Sequence, residues 1–250
     1  MAHRLLLLLQ AEGNSLLCFL NGTKPIDTNG FLIYNKPIHP WRYDMGNMTY
    51  EFKDNETVLE TYEWDNTWID HANDKDTPRV LYIGDSISYA TRRIVTDRSG
   101  GRYLVDGYGS SKALDNPYLF DSIKMFAAQQ GRRAAIIVNN GLHGWHLDDG
   151  VQYPELYDAL IAFLRKEFEG VPIFAVLTTS VRDVEREERV KSRNAAALAV
   201  AQKHGIGVID LYSISAAHQD LWSDGVHFTR ECYELFADHI LQILDSELKK

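Results

Sequence analysis

Cysteine is scarce in this chain: Cys18 and Cys232 are the only two in 250 residues. They lie far apart and outside any CxxC or Cys/His grouping, so neither a disulfide framework nor a zinc site finds support, and both read as separate thiols. Long apolar runs are also missing; no stretch approaches the ~20 residues that a membrane span requires. Nor is there a dense Lys/Arg run. With 26 basic against 35 acidic residues and a formal net charge of −9, the surface repels phosphate backbones, which argues against nucleic acid as a partner. The start, Met1-Ala-His-Arg followed by Leu5 to Leu9, is basic and then apolar, but five leucines fall short of the ~7–15 residues of a leader's apolar core. Gln10, Glu12 and Asn14 interrupt it. A buried strand is therefore expected there, and a soluble chain placed in the cytoplasm ahead of a secreted one. The triplets starting at Asn21, Asn47 and Asn55 fit the N-glycosylation pattern, which has meaning only in a secreted protein.

What is present is ordinary for a globular protein: 45% hydrophobic and 24% charged residues. The length allows one full α/β domain with a small addition. From residue 79 onward, compact apolar runs alternate with helix-like segments. The runs are Arg79–Ile83, Arg102–Val105, Ala134–Val138, Val171–Leu177 and Gly207–Leu211, which suit strands buried on both faces of a parallel sheet. Between them, Asn116-Pro117 reads as cap and first residue of a helix running from Tyr118 to Gln130. Pro154–Phe168, Glu185–His204 and Thr229 to about Leu248 read as further helices, the last with Tyr233, Phe236, Ile240 and Ile243 on one face. Repeated β-then-α units predict a doubly wound α/β domain of about five parallel strands over residues 79–250.

Residues 1–78 read differently, with 12 acidic against 6 basic residues and little periodicity. Thr49–Phe52 and Thr57–Trp64 alternate like half-exposed strands. A small β-rich extension over residues 1–78 is expected, with His71–Pro78 as its connector. Its aromatics, Trp41, Tyr43, Tyr50, Trp64 and Trp68, read as core residues ahead of a carbohydrate platform.

Two blocks carry chemistry. Gly84-Asp85-Ser86 follows directly on the first apolar run, and in an open α/β sheet ligands bind beyond the carboxyl ends of strands. A serine there presents its hydroxyl beside the N–H groups of the next helix, which can stabilise developing negative charge. A plain helix cap would explain Asp85-Ser86 equally well in isolation. The second block, Ser223-Asp224-Gly225-Val226-His227-Phe228-Thr229, precedes the last helix. Histidine is the natural general base for a serine, and an acid three residues away can hold its tautomer. Both blocks fall at one edge of the expected sheet.

Together they resemble the first and last signature blocks of the SGNH (GDSL-type) hydrolase superfamily, over roughly residues 79–250. Val80-Leu-Tyr-Ile-Gly-Asp-Ser-Ile87 is similar to its nucleophile block, and Asp224-Gly-Val-His-Phe-Thr229 to its last block. The resemblance implies a flavodoxin-like sheet and ester hydrolysis through an acyl-enzyme, with Ser86, His227 and Asp224 as triad and no cofactor. It also implies an oxyanion glycine after the second strand, where Gly109 is the first choice and Gly107 the second. After the third strand the family's Gly-x-Asn-Asp is replaced by Gly141-Leu-His-Gly144. This places His143 at the oxyanion asparagine, as in a subset of GDSL-like sequences, and a neutral imidazole can still donate one hydrogen bond. Asn140 or Asn139 is the alternative donor. Ser86 itself supplies a backbone N–H.

Asp85 and Trp145 are the remaining candidates for substrate contact, Trp145 as a pocket wall or as a core residue. His143 and His146 are three apart but lack an acidic third ligand, so no metal is expected. The expected activity is hydrolysis of short-chain esters, acetyl above all, on a small molecule or glycan. A lipase, thioesterase or acyltransferase of the same fold is the alternative enzyme, and a catalytically weak glycan-binding module the alternative outside enzymes.

Overall fold

A computed structural model describes residues 9–11, 14–16, 57–148 and 151–248. The chain divides into two compact units, Met1–Asp54 and Asn55–Lys250. In the first, β1 (Leu9–Ala11) and β2 (Asn14–Leu16) form an antiparallel pair with Leu9 opposite Leu16. The remaining expectations for this unit, including all but the last residue of the strand expected over Leu5–Leu9 and the roles of Cys18, Trp41, Tyr43 and Tyr50, lie outside the described residues.

The second unit is a six-stranded sheet with helices on both faces. Its strands are β3 (Asp65–Trp68), β4 (Arg79–Gly84), β5 (Leu104–Ser110), β6 (Ala135–Val138), β7 (Ile173–Leu177) and β8 (Gly207–Asp210), in the order β3-β5-β4-β6-β7-β8. The last five in that order are parallel, and β3 is antiparallel on the edge. β4 and β5 are buried along their whole length, and in β4 the near-continuous apolar run Val80–Ile83 requires it. The helices are α1 (Ser86–Arg98), α2 (Leu119–Ala127), α3 (Gln152–Glu167), α4 (Val184–His204), α5 (Leu211–Ala217) and α6 (Arg230–Glu247). One apolar layer joins Val80, Tyr82, Val105 and Ile137 to α6 through Phe236, Ile240 and Leu244. The other joins Leu81, Ile83 and Ile136 to α2 and α3 through Ile123, Leu160 and Leu164.

The doubly wound α/β expectation holds. Three of its details are corrected. The main unit starts before residue 79: Asp65–Trp68, read from the sequence as part of the extension, adds a sixth strand to the sheet. The strand predicted over Thr57–Trp64 falls instead at Asp65–Trp68, because pairing with β5 and not alternation selects it. And α2 starts at Leu119 and ends at Ala127, inside the predicted span. Asn116 does accept from the Tyr118 N–H at 3.0 Å, but it caps a turn that precedes the helix.

The segment ahead of β4 is tied to the sheet by a buried ion pair. Arg79 donates to Asp106 on β5 at 2.8 Å and to the carbonyls of Asp70, His71 and Asp74 at 2.8–3.0 Å. Burial pushes the Asp106 carboxyl up, against the opposing pull of Arg133 and Arg79. Arg79→Met takes a charged partner from that carboxylate, which keeps Arg133 at 3.5 Å and the Asp70 N–H at 3.0 Å, and a donor from three carbonyls. The expected loss is about 3–5 kcal/mol, the usual penalty for removing one partner of a buried pair, and urea unfolding measures it.

Candidate active site

β4 delivers Gly84 to the carboxyl edge of the sheet, and α1 begins two residues later at Ser86. A side chain on Gly84 would bring a Cβ to 2.8 Å from Ser88, so glycine is what lets α1 turn back tightly over the strand end. Asp85 caps the helix: its Oδ1 accepts from the Ile87 N–H at 2.9 Å, and the residue is 2% exposed. Asp85 is therefore a helix cap turned into the protein, and the expectation that it contacts substrate is corrected. Ser86 occupies the first turn, where backbone N–H groups lack helical partners.

At the far end of the chain, the loop between α5 and α6 returns to this edge. His227 Nε2 lies 2.8 Å from Ser86 Oγ, and His227 Nδ1 lies 2.7 Å from Asp224 Oδ2. Asp224 Oδ1 accepts from the backbone N–H groups of Val226 at 2.9 Å and His227 at 2.8 Å. The His227 N–H, the His227 ring and the Val226 N–H hold the Asp224 carboxyl well below the ordinary carboxylate range. It thus stays charged at neutral pH. The three residues, separated by up to 141 positions, form one relay at the carboxyl edge of the sheet.

The candidates for oxyanion donors are less evenly served. Gly107 and Gly109 lie within β5 and not after it, between β4 and β3. Gly109 does reach the site: a Cβ there would stand 3.3 Å from the Asp85 carbonyl and 3.6 Å from the Trp64 ring. Its N–H, however, points the other way. Leu104 donates towards β4, to Pro78, and Ser111 donates towards β3, to Trp64. Alternation along the strand gives Gly107 and Gly109 the direction of Ser111, towards β3. Both glycine assignments are corrected on that ground: the added edge strand takes the N–H that the expected loop would have left open.

After β6, Asn139 spends both amide protons elsewhere and Asn140 one of its two. Asn139 Nδ2 donates to the Val176 carbonyl and to Thr178 Oγ1, each at 2.9 Å. Asn140 Nδ2 donates to the Lys112 carbonyl at 2.9 Å. His143 is the candidate whose side chain remains at the surface of the loop, edge-on to Trp64 with ring centres 6.0 Å apart. Gly141 fits this loop against β7, since a Cβ would sit 1.7 Å from Thr178 Oγ1.

Two residues that the sequence reading missed hold the loop. Arg193 of α4, 2% exposed, donates to the carbonyls of Gly141 at 3.1 Å, His143 at 2.6 Å and Gly144 at 2.7 Å, and to Asp148 at 2.7 Å. Its position on the buried stripe Val190–Arg193–Ala197–Val200 was a legible signal, a charge where the helix period demands an apolar residue. Glu60 is the second: its Oε1 accepts from the Gly144 N–H at 3.0 Å and lies 3.5 Å from His143 Nδ1. No sequence signal pointed to it.

Trp145 is half-buried, with the guanidinium groups of Arg193 and Arg189 over its ring at 4.4 and 4.8 Å. It also borders a cavity of about 180 Å³ lined by Val58, Leu59, Glu60, Ala113 and Gly144. His146 pairs with Asp115 at 2.9 Å. A larger cavity of about 710 Å³, near Gly170, Phe174 and Gly207, lies at the opposite edge of the sheet, where β7 and β8 begin. Trp68, by contrast with the core role expected for it, is exposed on β3.

This topology, with a serine after the first parallel strand and an Asp-x-x-His loop before the last helix, is the fold of the SGNH, or GDSL-type, hydrolases. Solved structures similar to the chain include the acetyl xylan esterase AlAXEase, with 16% identity and a TM-score of 0.55 over 66% of this chain and 99% of that one. A lipolytic G-D-S-L family protein from Veillonella parvula shares 18% identity with a TM-score of 0.56, over 68% and 99%. The C-terminal catalytic domain of peptidoglycan O-acetyltransferase A from Streptococcus pneumoniae shares 16% with a TM-score of 0.53, over 70% and 96%. No protein-family model matches the chain, and no curated protein sequence does.

Proposed function

We propose that the protein is a serine carboxylic-ester hydrolase, with Ser86 as nucleophile, His227 as general base and Asp224 as the group that orients it. The observation that carries this is the unbroken relay Asp224–His227–Ser86, with 2.7 and 2.8 Å contacts at the two imidazole nitrogens. Nδ1 towards a carboxylate fixes the tautomer that leaves Nε2 free to take the serine proton. Ser86 Oγ then attacks the ester carbonyl and forms the acyl-enzyme as the alcohol leaves with the proton from His227. Water repeats the sequence and releases the acid. The Ser86 N–H and the His143 side chain are the proposed oxyanion donors, each carrying ~10²–10³ in rate.

The proposed substrates are short-chain esters, acetyl first, on a small molecule or glycan. The acetyl xylan esterase and peptidoglycan O-acetyltransferase among the similar structures act in that class. The test is hydrolysis of p-nitrophenyl esters from acetyl to long acyl chains, with Ser86→Ala alongside. The expected result is an optimum at acetyl that the mutant abolishes. A long-chain optimum would overturn the substrate assignment, and undiminished turnover by purified Ser86→Ala would overturn the nucleophile.

A further inference from the structure

Gly107 and Trp68, which the reaction does not use, meet beside the helix that starts at the nucleophile. They stand opposite one another in the register of β3 and β5, and such a pair projects to one face of the sheet. That face is the one α1 covers. Glycine is required at position 107 because the Arg92 side chain crosses it: a Cβ there would stand 2.2 Å from Arg92 Cδ. Arg92 is 5% exposed, and its Nη2 donates to Asn66 Oδ1 on β3 at 3.0 Å. From this buried position its guanidinium lies against two rings, 4.7 Å from the centre of Tyr89 and 5.9 Å from that of Trp68. The ring faces turned to it are therefore inner ones. Tyr89 and Trp68 are nonetheless 50% and 43% exposed, so their outer faces are open to solvent.

The place of Tyr89 in α1 relates these rings to the chemistry. It follows Ser86 by three residues in the helix, which puts the two side chains on one stripe with Cβ atoms ~5–6 Å apart. The exposed charge beside the rings is already paired: Arg93, 6.0 Å from the Trp68 ring centre, meets Asp97 at 3.2 Å. An anion therefore gains little there. Two large aromatic rings backed by one cation and bare on the outside favour a flat, uncharged partner with apolar faces. A β-linked pyranose chain has that chemistry, because its equatorial hydroxyls leave axial C–H groups on the two faces of each sugar.

We propose that Tyr89 and Trp68 form a subsite for a neutral β-linked glycan chain, which runs from Ser86 towards the β3 edge of the sheet. The proposal rests on the esterase reading above and narrows it, since the ester is then carried on a glycan and not on a small alcohol. It also gives Gly107 a role, as the gap through which Arg92 reaches the rings.

The test is binding of xylohexaose, cellohexaose and chitohexaose to full-length Ser86→Ala protein by titration calorimetry, which needs no turnover. At least one hexaose is expected to bind. Adding Tyr89→Ala or Trp68→Ala should raise its Kd about tenfold, the upper end of what one aromatic contact supplies, whereas Tyr89→Phe keeps the ring and should bind as before. Both rings are exposed, so the variants should unfold thermally near the parent. With Ser86 restored, each ring removal should raise KM on the partially acetylated hexaose by the same factor and leave kcat nearly unchanged, the mark of lost uniform binding. Failure of all three hexaoses to bind overturns the proposal, as does a Kd that neither ring removal changes. Binding that persists while the wild type hydrolyses no ester sinks the esterase reading and leaves the glycan subsite standing.

Discussion

His227→Ala is expected to lower ester hydrolysis by roughly 10⁴–10⁶-fold while leaving the protein folded, the span seen when a member of a serine triad is removed. Both halves follow from the geometry of the loop. Among the described residues the imidazole is the one group bonded to Ser86 Oγ, and the mutation removes the base proposed to take the serine proton. The loop itself is built from other bonds. Ser223 N–H donates to the His227 carbonyl at 2.9 Å, Arg182 N–H to the Gly225 carbonyl at 2.7 Å, and Thr229 N–H to the Leu221 carbonyl at 2.8 Å. Asp224 keeps its bonds to two backbone N–H groups, and the Phe228 ring stays buried against Phe236. The His227 side chain is 41% exposed, so its removal opens no cavity. A stability change within about 0.5 kcal/mol is expected, as for other exposed side chains. Thermal unfolding of the mutant beside its rate on p-nitrophenyl acetate checks both. A mutant that is inactive because it is unfolded would leave the role of the imidazole unsupported.

Arg193→Ala should fail in the opposite manner, through the scaffold. Its guanidinium fills four acceptors at once: three carbonyls of the His143 loop and Asp148. It also lies between Trp145 and Tyr153, at 4.4 and 4.5 Å from their ring centres. Alanine leaves the carbonyls and a partly buried carboxylate with fewer partners and opens space beneath the loop. The expected cost is about 3–5 kcal/mol, typical of a buried charge that loses its partner. Arg193→Lys restores the charge but not the fork that reaches several carbonyls, and should recover only part of that stability. Because the loop carries His143, kcat on the short-chain ester should fall even at temperatures where the mutant remains folded, by up to the ~10²–10³ of one oxyanion donor. Urea unfolding and kcat measured on the same preparation separate the two effects. A fully active, fully stable Arg193→Ala would show that the loop holds its shape without the arginine.

The division of labour between sequence and tertiary structure is clear at particular residues. Fully buried parallel strands leave near-continuous apolar runs, so β4, β6 and β7 were legible at once, as were α4 and α6, bounded by Asp183 and Gly205 and by Thr229. Ser86 and the Asp224–His227 pair were legible because strand ends and helix starts fix where such side chains emerge, and a three-residue spacing is local. The oxyanion side was not. Which N–H groups stay open beside Ser86 depends on strand pairing, and the added edge strand β3 turned Gly107 and Gly109 from loop glycines into paired ones. Asn139 and Asn140 carried the right side chains, but packing against β7 used both donors of Asn139 and the segment after β5 took one of Asn140's. Glu60 approaches His143 across 83 positions of sequence, a distance over which no periodicity or motif constrains contact. The sequence by itself determined the parallel α/β sheet, the place of Ser86 at a strand end and the local Asp-x-x-His turn, because burial pattern and backbone geometry act over a few residues. Tertiary structure alone decided the sixth strand, the partner of His143 and the buried arginine beneath its loop, because each depends on which distant segments meet.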